Sequence, residues 1–173
     1  MRIISGKWKG RVIEAPEGGA VRPTGDRVRE SWMSIVHQIL PEARVLDLCA
    51  GSGALGLEAL SRGAASCDFV EQAPTALAVI RSNLEKLGGH PDAHLHREDA
   101  AQFVGRLTAG AYDVAFADPP YSTETVRLLV TCWMTVPFAN VFGIEHSSSV
   151  VLPALGETRR YGSTSLTFFR APS

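Results

Sequence analysis

Residues 43–63 read ARVLDLCAGSGALGLEALSRG, and this stretch decides the fold. Ala43–Leu48 is a short apolar run of strand length. Ala54–Arg62 has helical character, and Gly63 stops it. Between them lies Gly51-Ser52-Gly53-Ala54-Leu55-Gly56, a G-x-G-x-x-G loop at a strand-to-helix turn. Downstream the alternation repeats. Strands are expected at Cys67–Glu71, Ala93–Arg97, Tyr112–Ala117 and Asn140–Glu145. Helices are expected at Pro74–Leu87, Ala100–Leu107 and Thr123–Met134. The tail offers two more strands, Val150–Leu152 and Ser165–Phe169. Upstream, Val28, Trp32, Ile35, Val36 and Ile39 follow helical spacing over Asp26–Leu40, with Asp26 as a candidate cap.

The expected architecture is therefore α/β. It is a mainly parallel seven-stranded sheet with helices on both faces and an antiparallel edge strand supplied by the tail. Residues 2–15 read as a short basic hairpin, with turn signals at Ser5-Gly6-Lys7 and Lys9-Gly10. Pro16–Thr24 reads as a Gly/Pro-rich connection. Residues 1–24 form an arm and linker, and residues 25–173 form the main body of a single globular domain.

The chain has 173 residues, 45% hydrophobic and 20% charged, an ordinary globular composition. Its net charge of -1 suggests no partner. The distribution says more, because residues 1–30 carry seven basic and four acidic side chains while the rest of the chain is acidic. A basic arm on an acidic body suits a polyanion, although a solvated arm would look the same. Cys49, Cys67 and Cys132 are too far apart for a CxxC site, and their odd number implies no disulfide framework. With no apolar leader and no run of 18 apolar residues, the expected setting is cytoplasmic, without a membrane.

The glycine loop, with Glu71 ending the next strand, first suggests a dinucleotide. Asp47, just before the loop, opposes that reading, because it would set a carboxylate against a pyrophosphate. S-adenosylmethionine has no phosphate, an ammonium group and a cationic sulfur. Asp47, Ala50, Gly51, Ser52, Gly53 and Glu71 are accordingly the expected donor site, Glu71 taking the ribose hydroxyls. Asp99 could accept from the adenine amine, or could simply cap the following helix.

Asp118-Pro119-Pro120-Tyr121 follows the fourth strand. Two prolines stiffen the backbone and remove two N–H donors. Asp118 and an outward carbonyl can accept from an exocyclic amine, and Tyr121 can stack on a base removed from its own stack. The expected catalytic residues are Asp118, Pro119 and Tyr121, acting in methyl transfer to a base nitrogen. His94 and His96 read as a polar strand face, with no metal expected. Trp8 could stack on RNA beside Lys7, Lys9 and Arg11, or could anchor the arm to the core. Glu145 could be a rim residue, but a cap or salt bridge fits it better.

The chain resembles the RsmD-type bacterial methyltransferases, which methylate the N2 amine of a guanine in 16S ribosomal RNA. The resemblance runs through residues 1–10, Arg22-Pro23-Thr24-Gly25-Asp26-Arg27-Val28-Arg29-Glu30, residues 46–64, Phe69-Val70-Glu71, Asn83-Leu84 and Asp118-Pro119-Pro120-Tyr121. The basic opening and the Arg-Pro-Thr segment are its specific part. It implies a Rossmann-like class I methyltransferase fold and S-adenosylmethionine as donor. It also implies that Arg22, Thr24, Arg27, Arg29 and Glu30 contact RNA or donor. Its expected partner is 16S rRNA in the small subunit or an assembly intermediate, where a ribosomal protein surface could help recognition. The protein is expected to act as a monomer. Cys49 stands where Phe is common, and Trp32-Met33 where Leu-Phe is usual. The rivals are a DNA or RNA adenine-N6 methyltransferase, a protein-glutamine methyltransferase (which would favour Asn at 118) and a catalytically silent rRNA-binding assembly factor.

Overall fold

The computed structural model describes residues 1–15, 25–120 and 123–173. Five helices and seven strands alternate along them: α1 (Gly25–Val36), β1 (Arg44–Leu48), α2 (Ala54–Ser61), β2 (Ser66–Glu71), α3 (Pro74–Lys86), β3 (Ala93–Arg97), α4 (Ala100–Val104), β4 (Tyr112–Ala117), α5 (Thr123–Thr135), β5 (Ala139–Ser147), β6 (Glu157–Tyr161) and β7 (Thr164–Arg170). The strands form one sheet in the order β3-β2-β1-β4-β5-β7-β6. The first five are parallel, and β7 runs antiparallel to both neighbours.

The central strands β1, β2, β4 and β5 bury side chains on both faces, as a covered parallel sheet must. Val45, Phe69 and Phe116 pack with residues of α1, α2 and α3 on one face. Leu46, Leu48, Val70 and Ala115 pack with residues of α4 and α5 on the other. Trp32 of α1 meets Phe116 and Phe168 edge-on, with ring centroids 5.3 Å apart in both pairs. That wedge ties α1 to both β4 and β7.

Gly56 is where α2 comes closest to the sheet. A Cβ there would lie 2.4 Å from a Phe69 ring carbon and 2.7 Å from Cys67 Sγ. Gly56→Ala should therefore destabilise the protein by about 1–3 kcal/mol through overpacking. The gain in helix propensity, at most about 1 kcal/mol, opposes that cost without cancelling the clash. A lower denaturant midpoint at unchanged slope would report it.

Two expectations need correction. Val150–Leu152 is not a strand, and β6 lies at Glu157–Tyr161 instead. Val150 is buried in a loop, Val151 is 82% exposed, and Pro153 lacks the donor a strand would need. The tail supplies the expected antiparallel edge as a hairpin, the edge strand β6 pairing antiparallel with β7. β7, buried at five of its seven positions, is inserted between β5 and the solvent-facing β6. The basic arm contains no pair of named strands. It closes on one antiparallel bridge, Arg2 to Val12, around a turn.

The arm is nonetheless docked. Ile3, Trp8 and Ile13 belong to the same buried cluster as α1, α2 and α3. Glu58 of α2, fully buried, accepts from the Ile4 and Ser5 amides at 2.9 and 3.0 Å. The Ser61 hydroxyl donates to the Ser5 carbonyl at 2.6 Å. At the arm's far end the Asn83 side chain brackets Glu14, donating to its carbonyl at 2.9 Å and accepting from its amide at 2.8 Å.

Candidate active site

The carboxyl ends of the central strands carry a row of functional groups. Leu48 is level with Val70 of β2 and Ala117 of β4, so the next residue, Cys49, stands between Glu71 and Asp118. Ala117 is level with Ile144 of β5, so Asp118 is followed by Glu145. The row across the rim is thus Glu71, Cys49, Asp118, Glu145. All four line one cavity of about 830 Å³, together with Gly51, Gln72, Asp99, Pro119, Pro120, His146, Ser147 and Thr164 among others. This is the rim where open α/β sheets bind ligands.

The glycine loop is held from behind. Cys49, Gly51 and Gly53 all take positive φ, giving the sharp turn between β1 and α2. Asp47 is 1% exposed, and its Oδ2 accepts from the Gly56 amide at 2.9 Å. The Gly51 amide donates to Glu71 at 2.9 Å, and the Gly53 amide to the Ala50 carbonyl at 2.8 Å. A phosphate cradle needs such amides for its oxygens. Here three of them serve the protein's own acceptors, which speaks against a pyrophosphate. Asn83, fully buried, also donates to the Ser52 carbonyl at 3.1 Å, linking the loop to the docked arm.

Burial holds the Asp47 carboxyl well above the usual carboxylate range, the Gly56 amide opposes this, and Asp118 and Glu71 reinforce it. Burial, then Glu71, Asp47 and Asp118, push the Cys49 thiol up to about 12. Cys49 therefore stays a thiol and is no nucleophile at neutral pH. The same carboxylates give the cavity a negative field, which suits a cation.

The sign of the Asp47 effect can be measured. A carboxyl whose folded pKa is raised costs stability as pH rises above its ordinary value of 3.8, because the unfolded chain ionises first. Asp47→Asn keeps an oxygen acceptor for Gly56 and removes that cost. The variant should melt no lower than the parent at pH 7, and its stability should vary less with pH between 4 and 7. Donor affinity should meanwhile fall, by roughly tenfold for one lost ion–ligand attraction. Isothermal calorimetry and melts at several pH values test both halves.

Glu71 also accepts from the Ala73 amide at 2.9 Å, yet each carboxylate oxygen keeps a second lone pair for a ribose hydroxyl. Asp99 caps α4 through the Gln102 amide at 2.9 Å and accepts from Gln72 Nε2 at 2.6 Å, while lining the cavity. Asp118 is exposed and Pro119 buried. Asp47, Ala50, Ser52 and Gly53 belong to the strand end and turn beside the cavity and are not among the residues that line it.

Of the residues expected to meet RNA, Lys7, Lys9, Arg11 and Arg27 are exposed. Trp8 is not available for stacking. It is 5% exposed in the core, with the Lys7 ammonium 4.5 Å from its ring centroid. A ring buried by apolar neighbours has no face for a base. Arg29 is likewise 5% exposed and donates to the Arg2 carbonyl at 2.6 Å and to Asp26 at 3.2 Å, so it holds the arm to α1. Arg22, Thr24 and Tyr121 lie outside the described residues. Sequence reasoning missed His146, Ser147 and Thr164 on the far wall, and it ranked a cap or salt bridge for Glu145 above the rim place that the structure gives it. The signal for it was the register of β5 against β4, which places Glu145 level with Asp118.

Comparison with known proteins shows the family and the fold. The model of the family "Conserved hypothetical protein 95" matches residues 1–170. YlbH of Bacillus subtilis (strain 168) is 36% identical over 181 residues, covering 98% of each chain. Ribosomal RNA small subunit methyltransferase D of Escherichia coli (strain K12) is 37% identical over 133 residues, 75% of this chain and 66% of that one. The 16S rRNA N2 G1207 methyltransferase RsmC of T. thermophilus, solved with AdoMet and guanosine, superposes with a TM-score of 0.73. At 18% identity, over 90% of this chain and 45% of that one, it speaks for the fold alone.

Proposed function

The chain belongs to the conserved hypothetical protein 95 family, the RsmD family, and on that premise we propose that it transfers a methyl group from S-adenosylmethionine to the N2 amine of a guanine in 16S rRNA. The observation that carries this reading is the rim row, with Glu71 and Asp118 lining one cavity on either side of Cys49. The donor supplies a sulfonium-bound methyl group. Glu71 suits the ribose hydroxyls, Asp99 the adenine amine, and Gly51 the close backbone approach, while Asp47, Ala50, Ser52 and Gly53 set the loop. The cavity has room for a ligand of that size together with an incoming base.

Asp118 and the Pro119 carbonyl accept from the amine's two N–H groups. This draws the nitrogen toward a pyramidal shape and frees its lone pair, which conjugation with the ring otherwise withholds. Transfer then depends on alignment, and the Asp118 charge stabilises the positive charge growing on nitrogen. The proton can leave to solvent through the same carboxylate, so no strong base is needed. Tyr121 supplies the stacking face for the extruded base.

Lys7, Lys9, Arg11, Arg22 and Arg27 form the RNA approach, reading phosphate charge, and the Thr24 hydroxyl adds a hydrogen bond to the backbone. The small subunit or its assembly intermediate is the substrate particle, and a ribosomal protein contact completes recognition. The protein works as a monomer in the cytoplasm. No helix of the described residues is long and apolar enough to cross a membrane.

The test is to supply labelled donor with separated small subunits, large subunits and transfer RNA from cells lacking the protein. Label should enter 16S rRNA and neither of the other pools. Label in another pool, or donor that fails to bind in calorimetry, would contradict the reading.

A further inference from the structure

The donor reading accounts for the cavity from Glu71 to Asp118, yet the cavity continues past Asp118 to β5 and β7. Glu145 lines that far part, level with Asp118 on the adjacent strand. Neighbouring strands lie about 4.8 Å apart, so the two carboxylates share one side of one cavity. The next side chain, His146, is committed to the fold. Its Nδ1 faces the Ser147 carbonyl at 2.8 Å and its Nε2 the Thr167 hydroxyl at 2.7 Å, fixing the end of β5 against β7. The position of Glu145 is therefore set by a strand held on both sides.

A carboxylate only accepts hydrogen bonds. Two neighbouring acceptors fit a ligand edge with two neighbouring donors. Among the four RNA bases guanine alone has that edge, N1–H beside the N2 amine. Adenine sets a lone pair at N1 beside its amine, and cytosine sets one at N3. Uracil places N3–H between two carbonyls. We propose that Glu145 is the specificity-determining residue of this enzyme, accepting from N1–H of the target guanine while Asp118 holds its N2 amine. An adenine with its amine on Asp118 would turn a lone pair toward the Glu145 carboxylate, and that repulsion rejects it. The inference rests on the guanine-N2 reading above and adds the residue that enforces it.

The experiment compares the full-length wild-type protein with Glu145→Gln and Glu145→Ser. The acceptors are unmodified small subunits carrying guanine or 2-aminopurine at the target position. 2-Aminopurine keeps the 2-amine but has a lone pair at N1. The wild type should prefer guanine by roughly 100-fold or more in kcat/KM. Glu145→Gln, whose amide can donate to that lone pair, should lose roughly 10- to 100-fold on guanine. It should also compress the preference at least about tenfold, with donor affinity within about twofold of wild type. Glu145→Ser should compress the preference as well, so a folding defect in one variant leaves the other to decide. An unchanged preference in both variants, with the wild type still making N2-methylguanosine, would overturn the role of Glu145 alone. A wild type that makes no N2-methylguanosine would overturn the guanine-N2 reading and this inference with it.

Discussion

Asp118→Ala should lower kcat by roughly 100- to 1000-fold or more and leave donor affinity within about threefold. The reason is position. Asp118 follows β4 at the rim, is exposed to the cavity and belongs to neither buried cluster, so its removal should not unfold the protein. What it loses is the acceptor that orients the amine and the charge that meets the developing cation. An interaction made chiefly in the transition state lowers kcat with little change in KM. Asp118→Asn, which keeps one acceptor oxygen but no charge, should fall between the two. Single-turnover rates at saturating donor, with calorimetry for donor binding, separate the effects. Loss of donor affinity in step with turnover would place Asp118 in the donor site.

Glu58→Ala should cost about 3–5 kcal/mol, the range for breaking a buried ion pair by removing one partner. Glu58 is 0% exposed and accepts from the Ile4 and Ser5 amides, and from Arg62 Nε and Nη2 at 3.1 and 3.0 Å. Alanine would leave two backbone donors and a guanidinium without their shared acceptor. The arm carrying Lys7, Lys9 and Arg11 would loosen, and RNA methylation should fall more than donor binding. Glu58→Gln, which keeps an acceptor oxygen, should cost less. Denaturant melts give the magnitude, and amide exchange at Ile4 and Ser5 gives the location. A loss below about 1 kcal/mol with those amides still protected would mean that Ile3, Trp8 and Ile13 hold the arm by apolar burial.

These two residues mark how much was legible in the sequence. β3 and β4 fall at the expected residues, because short apolar or alternating runs bounded by turn residues leave little choice. β6 was not legible, because Glu157-Thr158-Arg159-Arg160-Tyr161 has no apolar face and pairs only with β7 at the sheet edge. Asp118 stood out as a motif. Glu58 looked like any helix carboxylate, and its importance arises from an arm 54 positions away in sequence. Trp8 could be read as an RNA-stacking ring or as an anchor, and burial decided for the anchor. Asp47 was legible as an acid at the glycine loop, but its bond to Gly56 was not. Asn83 stood in the sequence only as part of the family resemblance, and nothing local showed that it joins the arm to the loop.

The proposed reaction turns on one atom, the N2 nitrogen of a guanine. The direct measurement is mass-spectrometric nucleoside analysis of 16S rRNA after small subunits from cells lacking this protein are treated with the purified enzyme and donor. Each particle should gain one N2-methylguanosine, and the gain should be lost with Asp118→Ala. Appearance of N6-methyladenosine in its place, or no new methylated nucleoside, would contradict the proposed reaction.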